Sequence, residues 1–422
     1  MNVFRKNLSW IFFGNIVHAI FQFALNILCA RCFGSDDYGL INYSASLIAF
    51  FTAVGTLGFN GVITKFFALD EKEAGKYLGT AIMARIIFSL ISIILLQVIA
   101  FYDKASDSRL QIIIFCQSLQ ILFGTGDLFI YWYRYKGQAK IEAVNRLIAF
   151  FISALWRILA LFFCRDLIWY VLGVSFETCF FIVLLYRSYR KEYITLNLFY
   201  SKYILKDMFK MSYPFILSAV LVTIYGQTDK IMLKNMINIS SVGLYSVSLT
   251  LAGAISIIPS ALIEGFRPDV MSFKLYNQNA YRRRLQQLYG LVFWLCVVYC
   301  IFITILAKPL ISILYGEGYI CAVSSLSIIT WYTSFSYFGS VNNLYMVAEN
   351  KTVWIQVFTL IGAICNVLLN LALIPKYGIE GAAVASLLTQ IIANYLLLYL
   401  IKPLRGCFML INEGVILKGF RK

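Results

Sequence analysis

The chain has 422 residues, of which 61% are hydrophobic and only 13% are charged, and its mean hydropathy is +0.78. Soluble domains carry about 45–50% apolar and about 25% charged residues, so this composition excludes an ordinary soluble enzyme and a disordered protein, and it predicts a polytopic membrane protein. The formal net charge of +16 does not indicate a nucleic acid partner, because basic residues of membrane proteins collect in cytoplasmic loops and orient the helices.

Twelve apolar segments are each long enough to cross the hydrocarbon core, which takes about 20 residues of α-helix. In chain order they lie near residues 8–30, 39–63, 77–101, 110–133, 146–164, 167–187, 211–233, 243–265, 288–307, 320–347, 353–374 and 380–401. The first segment lacks a clear cleavage site and eleven others follow it, so we expect a membrane span rather than a signal peptide. The links are short and leave no room for a folded domain. The sequence predicts an all-α polytopic membrane protein with twelve transmembrane helices.

Lysine and arginine alternate in abundance from one loop to the next. Of the 36 basic residues, 26 fall at the two termini and in loops on the same side, eight fall on the opposite side, and two lie within spans. Such an excess marks the cytoplasmic side. We therefore expect a multi-pass membrane protein with both termini in the cytoplasm, with Lys202 on the cytoplasmic side and Lys104 on the outer side.

A weak internal repeat relates the two halves of the chain. A shift of 204 residues places Gly39 on Gly243. The same shift gives four further identities: Leu40 with Leu244, Ser44 with Ser248, Leu47 with Leu251 and Gly61 with Gly265. Parallel duplication with a substrate site between the halves is a recurring plan of transporters. We therefore predict two six-helix lobes around a central cavity, residues 1–205 with a basic linker and residues 206–422 with a basic tail.

Four ionisable residues within the third to sixth predicted spans are candidate site residues. A charge at membrane depth is costly, so each is expected to face a partner or a water-filled cavity. Arg85 in the third span and Asp127 in the fourth lie at similar depths, about 9–12 Å from the cytoplasmic side at a rise of ~1.5 Å per residue. Arg157 in the fifth span and Glu177 in the sixth lie toward the outer half. Each pair is interpreted in two ways, as an ion pair that locks two helices or as cavity residues that contact substrate.

Two further candidates lie in the seventh and first spans. Asp229 and Lys230 are adjacent and point about 100° apart on a helix, so they cannot both face one partner. We expect Lys230 to extend to the headgroups, which leaves Asp229 as the cavity candidate. His18 is the single histidine of the chain and shares a helical face with Gln22 and Asn26. It is either an interhelical hydrogen-bonding group or a proton carrier.

The motifs of common enzyme classes are missing from the sequence. It contains no Walker loop, no HExxH and no Gly-x-Ser-x-Gly pattern. A single histidine excludes conventional His-based metal sites and catalytic triads. The run from Cys29 to Cys32 matches CxxC in spacing but lies at the end of a membrane helix. We expect no enzymatic activity, no cofactor and no metal.

Four stretches resemble one transporter family. Residues 30–40 (ARCFGSDDYGL) are similar to its link into a "G-x-x-x-[YF]-G" motif, and residues 131–140 (YWYRYKGQAK) to the aromatic-rich end of its fourth helix. Pro214, the Asp229-Lys230 pair and residues 242–246 (VGLYS) resemble its seventh helix and the opening of its eighth. Residues 370–383 (NLALIPKYGIEGAA) match "N-x-x-L-I-P-x-x-G-x-x-G-A-A". In this order they resemble the polysaccharide flippases, of the O-antigen type, of the MOP exporter superfamily, which also includes multidrug extrusion proteins and lipid II flippases.

The resemblance implies a flippase that moves an undecaprenyl-diphosphate-linked oligosaccharide, an O-antigen or other surface polysaccharide unit, to the outer leaflet by alternating access. It would make Arg85 and Arg157 contacts of the diphosphate or of acidic sugars, since arginine binds phosphate with two parallel hydrogen bonds. Expected partners are membrane lipids, H⁺ or Na⁺ as the coupling ion, and other membrane proteins of polysaccharide assembly.

Two rival functions remain open. A cation-coupled exporter of drugs or other small molecules on the same fold would favour an acidic cavity, whereas the intramembrane charges here are mixed and two of them are arginines. O-antigen polymerases have a similar number of spans, but they are characterised by a large outer loop. The outer loops predicted here are short.

Overall fold

The computed structural model of the chain describes residues 2–102, 108–193 and 198–420, with side chains from residue 14 onward. All regular secondary structure in these ranges is helical, which confirms the all-α class. The α-helices are α1 Asn2–Gly55, α2 Ile63–Leu69, α3 Ala74–Tyr102, α4 Ser108–Phe123, α5 Leu128–Tyr135, α6 Ala139–Leu159, α7 Leu167–Glu192, α8 Lys202–Met236, α9 Ile239–Ala252, α10 Ile257–Tyr276, α11 Gln278–Leu314, α12 Ala322–Ala348, α13 Val353–Ile391, α14 Leu397–Leu400 and α15 Arg405–Val415. Short 3₁₀ segments lie at Phe59–Gly61, Glu71–Glu73, Gly124–Asp127, Gly253–Ser256, Glu317–Tyr319, Lys402–Leu404 and Lys418–Phe420, and π segments at Ala160–Cys164 and Ile392–Leu396. Lys104, which we expect on the outer side, lies outside the described residues.

Nine helical stretches in the described ranges are long and apolar enough to cross a membrane, against twelve predicted spans. Two of the nine, Gly14–Gly55 and Val353–Leu400, each cover two predicted spans. Helix α12 is a further helix of 27 residues, and its many Ser, Thr and Asn side chains lower its hydropathy. If the two long stretches are divided and α12 is included, the helices are consistent with the predicted twelve.

Two glycines divide the long helices. Gly34 interrupts α1 with φ 83° and ψ 177°, and Gly378 interrupts α13 with φ 57° and ψ −128°. Side chains with a Cβ adopt these conformations only at considerable cost, whereas glycine adopts them readily. Both glycines lie in predicted links between spans, at residues 31–38 and 375–379, so the two helices break where the predicted spans end.

The chain forms two compact units. The first comprises Met1–Phe33 and Leu40–Gln227, and the second comprises Gly34–Gly39 and Thr228–Lys422. The division falls within α8, between residues 227 and 228, whereas the predicted boundary at residue 205 lies near the beginning of that helix. The position of the lobe boundary therefore stays a prediction.

Each unit has its own core. Trp132 of the first unit and Tyr289 of the second are fully buried among aromatic and aliphatic side chains. Large aliphatic residues such as Ile94, Leu155 and Ile305 are instead well exposed. This is the expected arrangement in a membrane, because lipid tails are as apolar as leucine and impose no cost on an outward-facing aliphatic side chain.

The two glycines equated by the 204-residue shift lie against each other in the second unit. A Cβ added to Gly39 would lie 2.1 Å from the carbonyl oxygen of Ile239, and one added to Gly243 would lie 2.1 Å from the carbonyl oxygen of Ser35. Ser35 and Ile239 are themselves 204 positions apart. The contact is therefore reciprocal, in agreement with the predicted repeat, and it tolerates no side chain larger than glycine at either position.

Candidate functional site

Arg85 on α3 and Asp127 at the end of the 3₁₀ segment before α5 form an ion pair in the first unit, in which only the arginine is buried. Arg85 is 3% exposed, and its Nη1 donates to Asp127 Oδ1 and, at 3.4 Å, to Asn60 Oδ1. Its Nε is buried without a hydrogen-bond partner among the described residues. The predicted pairing is confirmed, since α3 and the 3₁₀ segment that follows α4 bring the two side chains together. Their contact with substrate stays a prediction.

A second network joins Arg157 on α6, Glu177 on α7 and His18 on α1. Arg157 is 1% exposed; its Nη2 donates to Glu177 Oε2 at 2.7 Å and its Nη1 donates to Gln22 Oε1 at 3.0 Å. The other carboxylate oxygen of Glu177 lies 3.1 Å from His18 Nε2, and Ser153 Oγ donates to Oε2 at 3.3 Å. The predicted Arg157–Glu177 pairing is confirmed, and His18 lies on the same carboxylate.

The two networks share a chemical property that matters for anion binding. Each contains one arginine nine-tenths or more buried and one acidic side chain that is partly accessible, with 31% of the Asp127 side chain and 21% of the Glu177 side chain exposed. A guanidinium held in this way is oriented in advance. Each arginine gives its carboxylate one hydrogen bond, and a phosphate could accept that bond in place of the carboxylate, because a guanidinium binds both anions.

Asp229 on α8 is the centre of a different network in the second unit. It is 6% exposed, and its three hydrogen bonds come from neutral groups on α9 and α13. Tyr245 OH donates to Oδ2 at 2.8 Å, Asn370 Nδ2 donates to Oδ1 at 2.6 Å, and Ser386 Oγ donates to Oδ2. Its neighbour Lys230, which we expect to extend to the headgroups, is half-buried. The expected cavity exposure of Asp229 is therefore not evident within this unit, where hydrogen-bond donors enclose the carboxylate.

The network at Asp229 is rich in oxygen atoms. Asn370 Nδ2 also donates to Asn366 Oδ1 at 3.1 Å, while Asn370 Oδ1 is buried with no hydrogen-bond partner in the described part of the chain. Carboxylate, amide and hydroxyl oxygens are the ligands of small hard cations, and a buried carboxylate can also take up a proton. The arrangement can therefore hold either kind of cation.

Sequence reasoning missed the partners of Asp229. Tyr245 and Asn370 belong to two of the motif stretches, residues 242–246 and 370–383, which therefore converge with the Asp229-Lys230 pair. The available signal was the position of Tyr245 and Asn370 in motif stretches that resemble the same family as the Asp229-Lys230 pair. Ser386 carries no such signal, because serine is common in these spans.

A cluster at the junction of α5 and α6 was also missed. Glu142 is 3% exposed and accepts hydrogen bonds from Arg134 Nε and Nη2, both at 2.8 Å, and from Arg146 Nη2 at 3.1 Å. In the sequence both arginines lie at the ends of the predicted loop between the fourth and fifth spans, where they indicate only the cytoplasmic side. Two guanidinium groups on one buried carboxylate leave a local excess of positive charge.

Glu349, which follows α12 outside the membrane-spanning segments, joins two predicted cytoplasmic loops. Lys274 Nζ donates to its Oε1 at 2.5 Å and Tyr281 OH donates to the same oxygen at 3.0 Å. Burial raises the pKa of the Glu349 carboxyl, but these two hydrogen bonds and the charge of Lys274 outweigh burial and hold the pKa below its ordinary value.

A family model described as polysaccharide biosynthesis protein matches residues 4–264, more than half of the chain. The chain belongs to that family. The capsular polysaccharide biosynthesis protein CapF of Staphylococcus aureus is 22% identical to this family member over 395 residues, which cover 92% of this chain and 96% of CapF.

Two solved structures resemble this polysaccharide biosynthesis protein over nearly its whole length. The lipid II flippase MurJ in an inward closed conformation has a TM-score of 0.77 and 16% identity, covering 96% of this chain and 91% of MurJ. An inward-facing multidrug resistance MATE family transporter of the MOP superfamily has a TM-score of 0.69 and 13% identity, covering 94% and 95%. At these identities the likeness shows the fold. The polysaccharide biosynthesis family and the fold that the sequence predicts are thus confirmed.

Proposed function

We propose that this protein moves an oligosaccharide linked to undecaprenyl diphosphate from the cytoplasmic to the outer leaflet of the bacterial cytoplasmic membrane. The observation that carries the proposal is the presence of two arginines, Arg85 and Arg157, 3% and 1% exposed within apolar helices of a polysaccharide biosynthesis protein. A cation within the membrane is energetically costly, and binding an anionic diphosphate as it crosses the bilayer would explain why these arginines are present.

The substrate would be handled at its headgroup. The polyprenyl tail is as apolar as the lipid around it, so it can remain in the bilayer while only the diphosphate and sugars pass the protein. A fixed guanidinium stabilises the diphosphate away from bulk water. We propose alternating access, in which the headgroup site opens to one side of the membrane at a time.

The proposed coupling ion, H⁺ or Na⁺, binds at Asp229. This assignment is supported by the burial of its carboxylate, by the neutral character of its three hydrogen-bond donors, and by the oxygen of Asn370 that has no partner among the described residues. An ion bound there would supply the positive charge that a carboxylate in apolar surroundings requires.

The orientation and surroundings of the protein complete the proposal. Both termini lie in the cytoplasm, in accord with the distribution of basic residues. Bulk membrane lipids surround the exposed aliphatic faces, and membrane proteins that make or polymerise the repeat unit are the expected protein partners.

A deletion of the gene tests the proposal directly. Spheroplasts of the deletion strain should accumulate lipid-linked repeat units on the cytoplasmic leaflet, where a lectin or antibody added outside cannot reach them until the membrane is opened. A plasmid-borne copy should restore labelling from outside. Units that are accessible from outside but unpolymerised would indicate a polymerase instead. Normal surface polysaccharide with increased retention of a cationic dye would indicate a drug exporter.

A further inference from the structure

The cluster of Arg134, Glu142 and Arg146 has the composition of an anion site rather than of a simple salt bridge. One carboxylate faces two guanidinium groups, so the cluster keeps one positive charge in excess. A guanidinium has five N–H donors, and Glu142 takes two from Arg134 and one from Arg146. The remaining donors belong to side chains that are 44% and 36% exposed.

Both arginines are held in fixed orientations. The guanidinium carbon of Arg134 lies 5.8 Å from the ring centroid of Tyr131, and that of Arg146 lies 4.8 Å from the ring centroid of Phe181. Glu142 is in the first turn of α6, where the helix dipole favours its negative charge. A site whose donors are already oriented loses little side-chain entropy when an anion binds.

The surroundings of the cluster attract anions. Asn145, beside Arg146, donates to Ser188 Oγ at 3.2 Å, which fixes this end of α6 against the last turns of α7. Those turns carry three exposed basic residues, Arg187, Arg190 and Lys191, and the exposed acidic residue Glu192. The end is the predicted cytoplasmic one, from which a newly assembled lipid-linked substrate would arrive.

The cluster also lies close to the intramembrane pair. Asp127 immediately precedes α5, and Arg134 is in the last turn of that helix. Seven residues of helix correspond to roughly 10 Å along its axis. A diphosphate bound at Arg134 and Arg146 would therefore be about two helical turns from Arg85.

We propose that Arg134 and Arg146, oriented by Glu142, form the entry site for the diphosphate of a polyprenyl-linked substrate on the cytoplasmic side of the first unit. The inference rests on the proposed flippase function and adds to it the place where the headgroup is first captured. Arg85 would receive the headgroup next, as the deeper of the two sites.

Binding to the full-length protein in nanodiscs tests the site, with undecaprenyl diphosphate lacking sugars as the probe. Arg146→Gln keeps the bidentate Arg134–Glu142 bond and should raise Kd about tenfold or more, since a charge-assisted bond is lost. Arg190→Gln, a matched loss of an exposed arginine at the same end, should change Kd by less than about threefold. Glu142→Gln keeps an amide oxygen that accepts hydrogen bonds from the two guanidinium groups but removes the competing negative charge, so the diphosphate should bind at least as tightly as it does to the wild type.

Equal effects of Arg146→Gln and Arg190→Gln would overturn the inference, because general attraction to the basic surface would then explain binding. Loss of binding in Glu142→Gln, in protein that still elutes as a single folded species, would also refute it. Phosphatidylglycerol serves as the second probe, and the same tenfold loss with it would mean a site for bulk anionic lipid and not for the carrier diphosphate.

The gene deletion separates failure of this inference from failure of the proposed function. If lipid-linked units stall in the deletion strain while Arg146→Gln binds the diphosphate normally, the flippase function stands and the entry site is wrong. If no units stall but diphosphate binding depends on Arg146, the site stands and the flippase function is wrong.

Discussion

Replacing Arg157 with alanine should destabilise the protein and abolish export, and a second substitution separates these two effects. Arg157 is 1% exposed and bonded to Glu177 and Gln22. Breaking a buried ion pair by removing one partner costs about 3–5 kcal/mol. Glu177 keeps His18 and Ser153 as partners and is 21% exposed, so we expect the lower figure, ~3 kcal/mol. For a unit of this size that corresponds to a fall in Tm of roughly 6–12 °C.

The double variant Arg157→Met with Glu177→Gln removes both charges. Replacing a buried pair by uncharged side chains of similar size is often neutral for stability, so the double variant should regain most of the lost Tm. If Arg157 binds the diphosphate, export should nevertheless stay absent. Arg157→Lys keeps the charge without the bidentate geometry and should retain partial export.

The assay combines Tm of the purified protein, its abundance in membranes and surface polysaccharide on immunoblots. Lys65→Ala, which removes an exposed basic residue of α2, is the control and should leave all three unchanged. Recovery of export by the double variant would show that the pair only locks α6 to α7. Normal export by Arg157→Ala at normal abundance would show that Arg157 is neither a lock nor a substrate contact.

Three further predictions concern the Arg85–Asp127 pair, the carboxyl of Glu349 and the orientation of the helices. If the Arg85–Asp127 pair only locks two helices, exchanging the residues should restore export that each single substitution removes; if Arg85 binds substrate, the exchanged protein should insert normally and remain inactive. The pKa of Glu349 is lowered in the folded protein, so the ionised carboxylate stabilises the fold at pH values above about 4.5, the ordinary pKa of glutamate. This stabilisation is lost as the pH falls through the pKa of the folded state. Tm of Glu349→Gln should therefore depend less on pH than that of the wild type below about pH 5, and parallel curves would contradict the assignment. A reporter fused after Lys202 should read cytoplasmic and one fused after Lys104 should read outside; an outside signal at Lys202 would refute the topology.

Hydropathy was sufficient to predict the fold class because each span must satisfy its backbone hydrogen bonds inside an apolar medium. It also predicted the division of α1 and α13, because the predicted links at residues 31–38 and 375–379 contain Gly34 and Gly378, where the helices break. It could not predict that each break is made at a single glycine, because this depends on the backbone φ and ψ angles. The span predicted at α12 is the least apolar case, because the many polar side chains of this helix lower its hydropathy. They form hydrogen bonds within the unit, as Thr330 Oγ1 does with the carbonyl oxygen of Leu326.

The pairs Arg85–Asp127 and Arg157–Glu177 were predictable because depth in a membrane can be counted along each helix, and two opposite charges at one depth on neighbouring helices find each other. The partners of Asp229 could not be counted in that way. Asn370 and Ser386 are 141 and 157 residues away and carry no charge to mark them. Glu142 was missed for a different reason, since a carboxylate between two loop arginines looks solvated until its burial is known.

The contrast between the two units gives the proposed mechanism its division of tasks. In the first unit, arginines are paired with carboxylates, an arrangement in which an arriving phosphate can replace the carboxylate. In the second unit, the carboxylate of Asp229 receives hydrogen bonds from neutral groups, an arrangement that an arriving cation would stabilise. Because an ion can drive a conformational change only through different affinities for two states, Asp229→Asn should remove the dependence of export on the Na⁺ or H⁺ gradient while leaving undecaprenyl diphosphate binding intact. Arg146→Gln should weaken undecaprenyl diphosphate binding while export still depends on the ion gradient. A substitution at either position that removed both the binding and the gradient dependence would show that the two units do not divide these tasks.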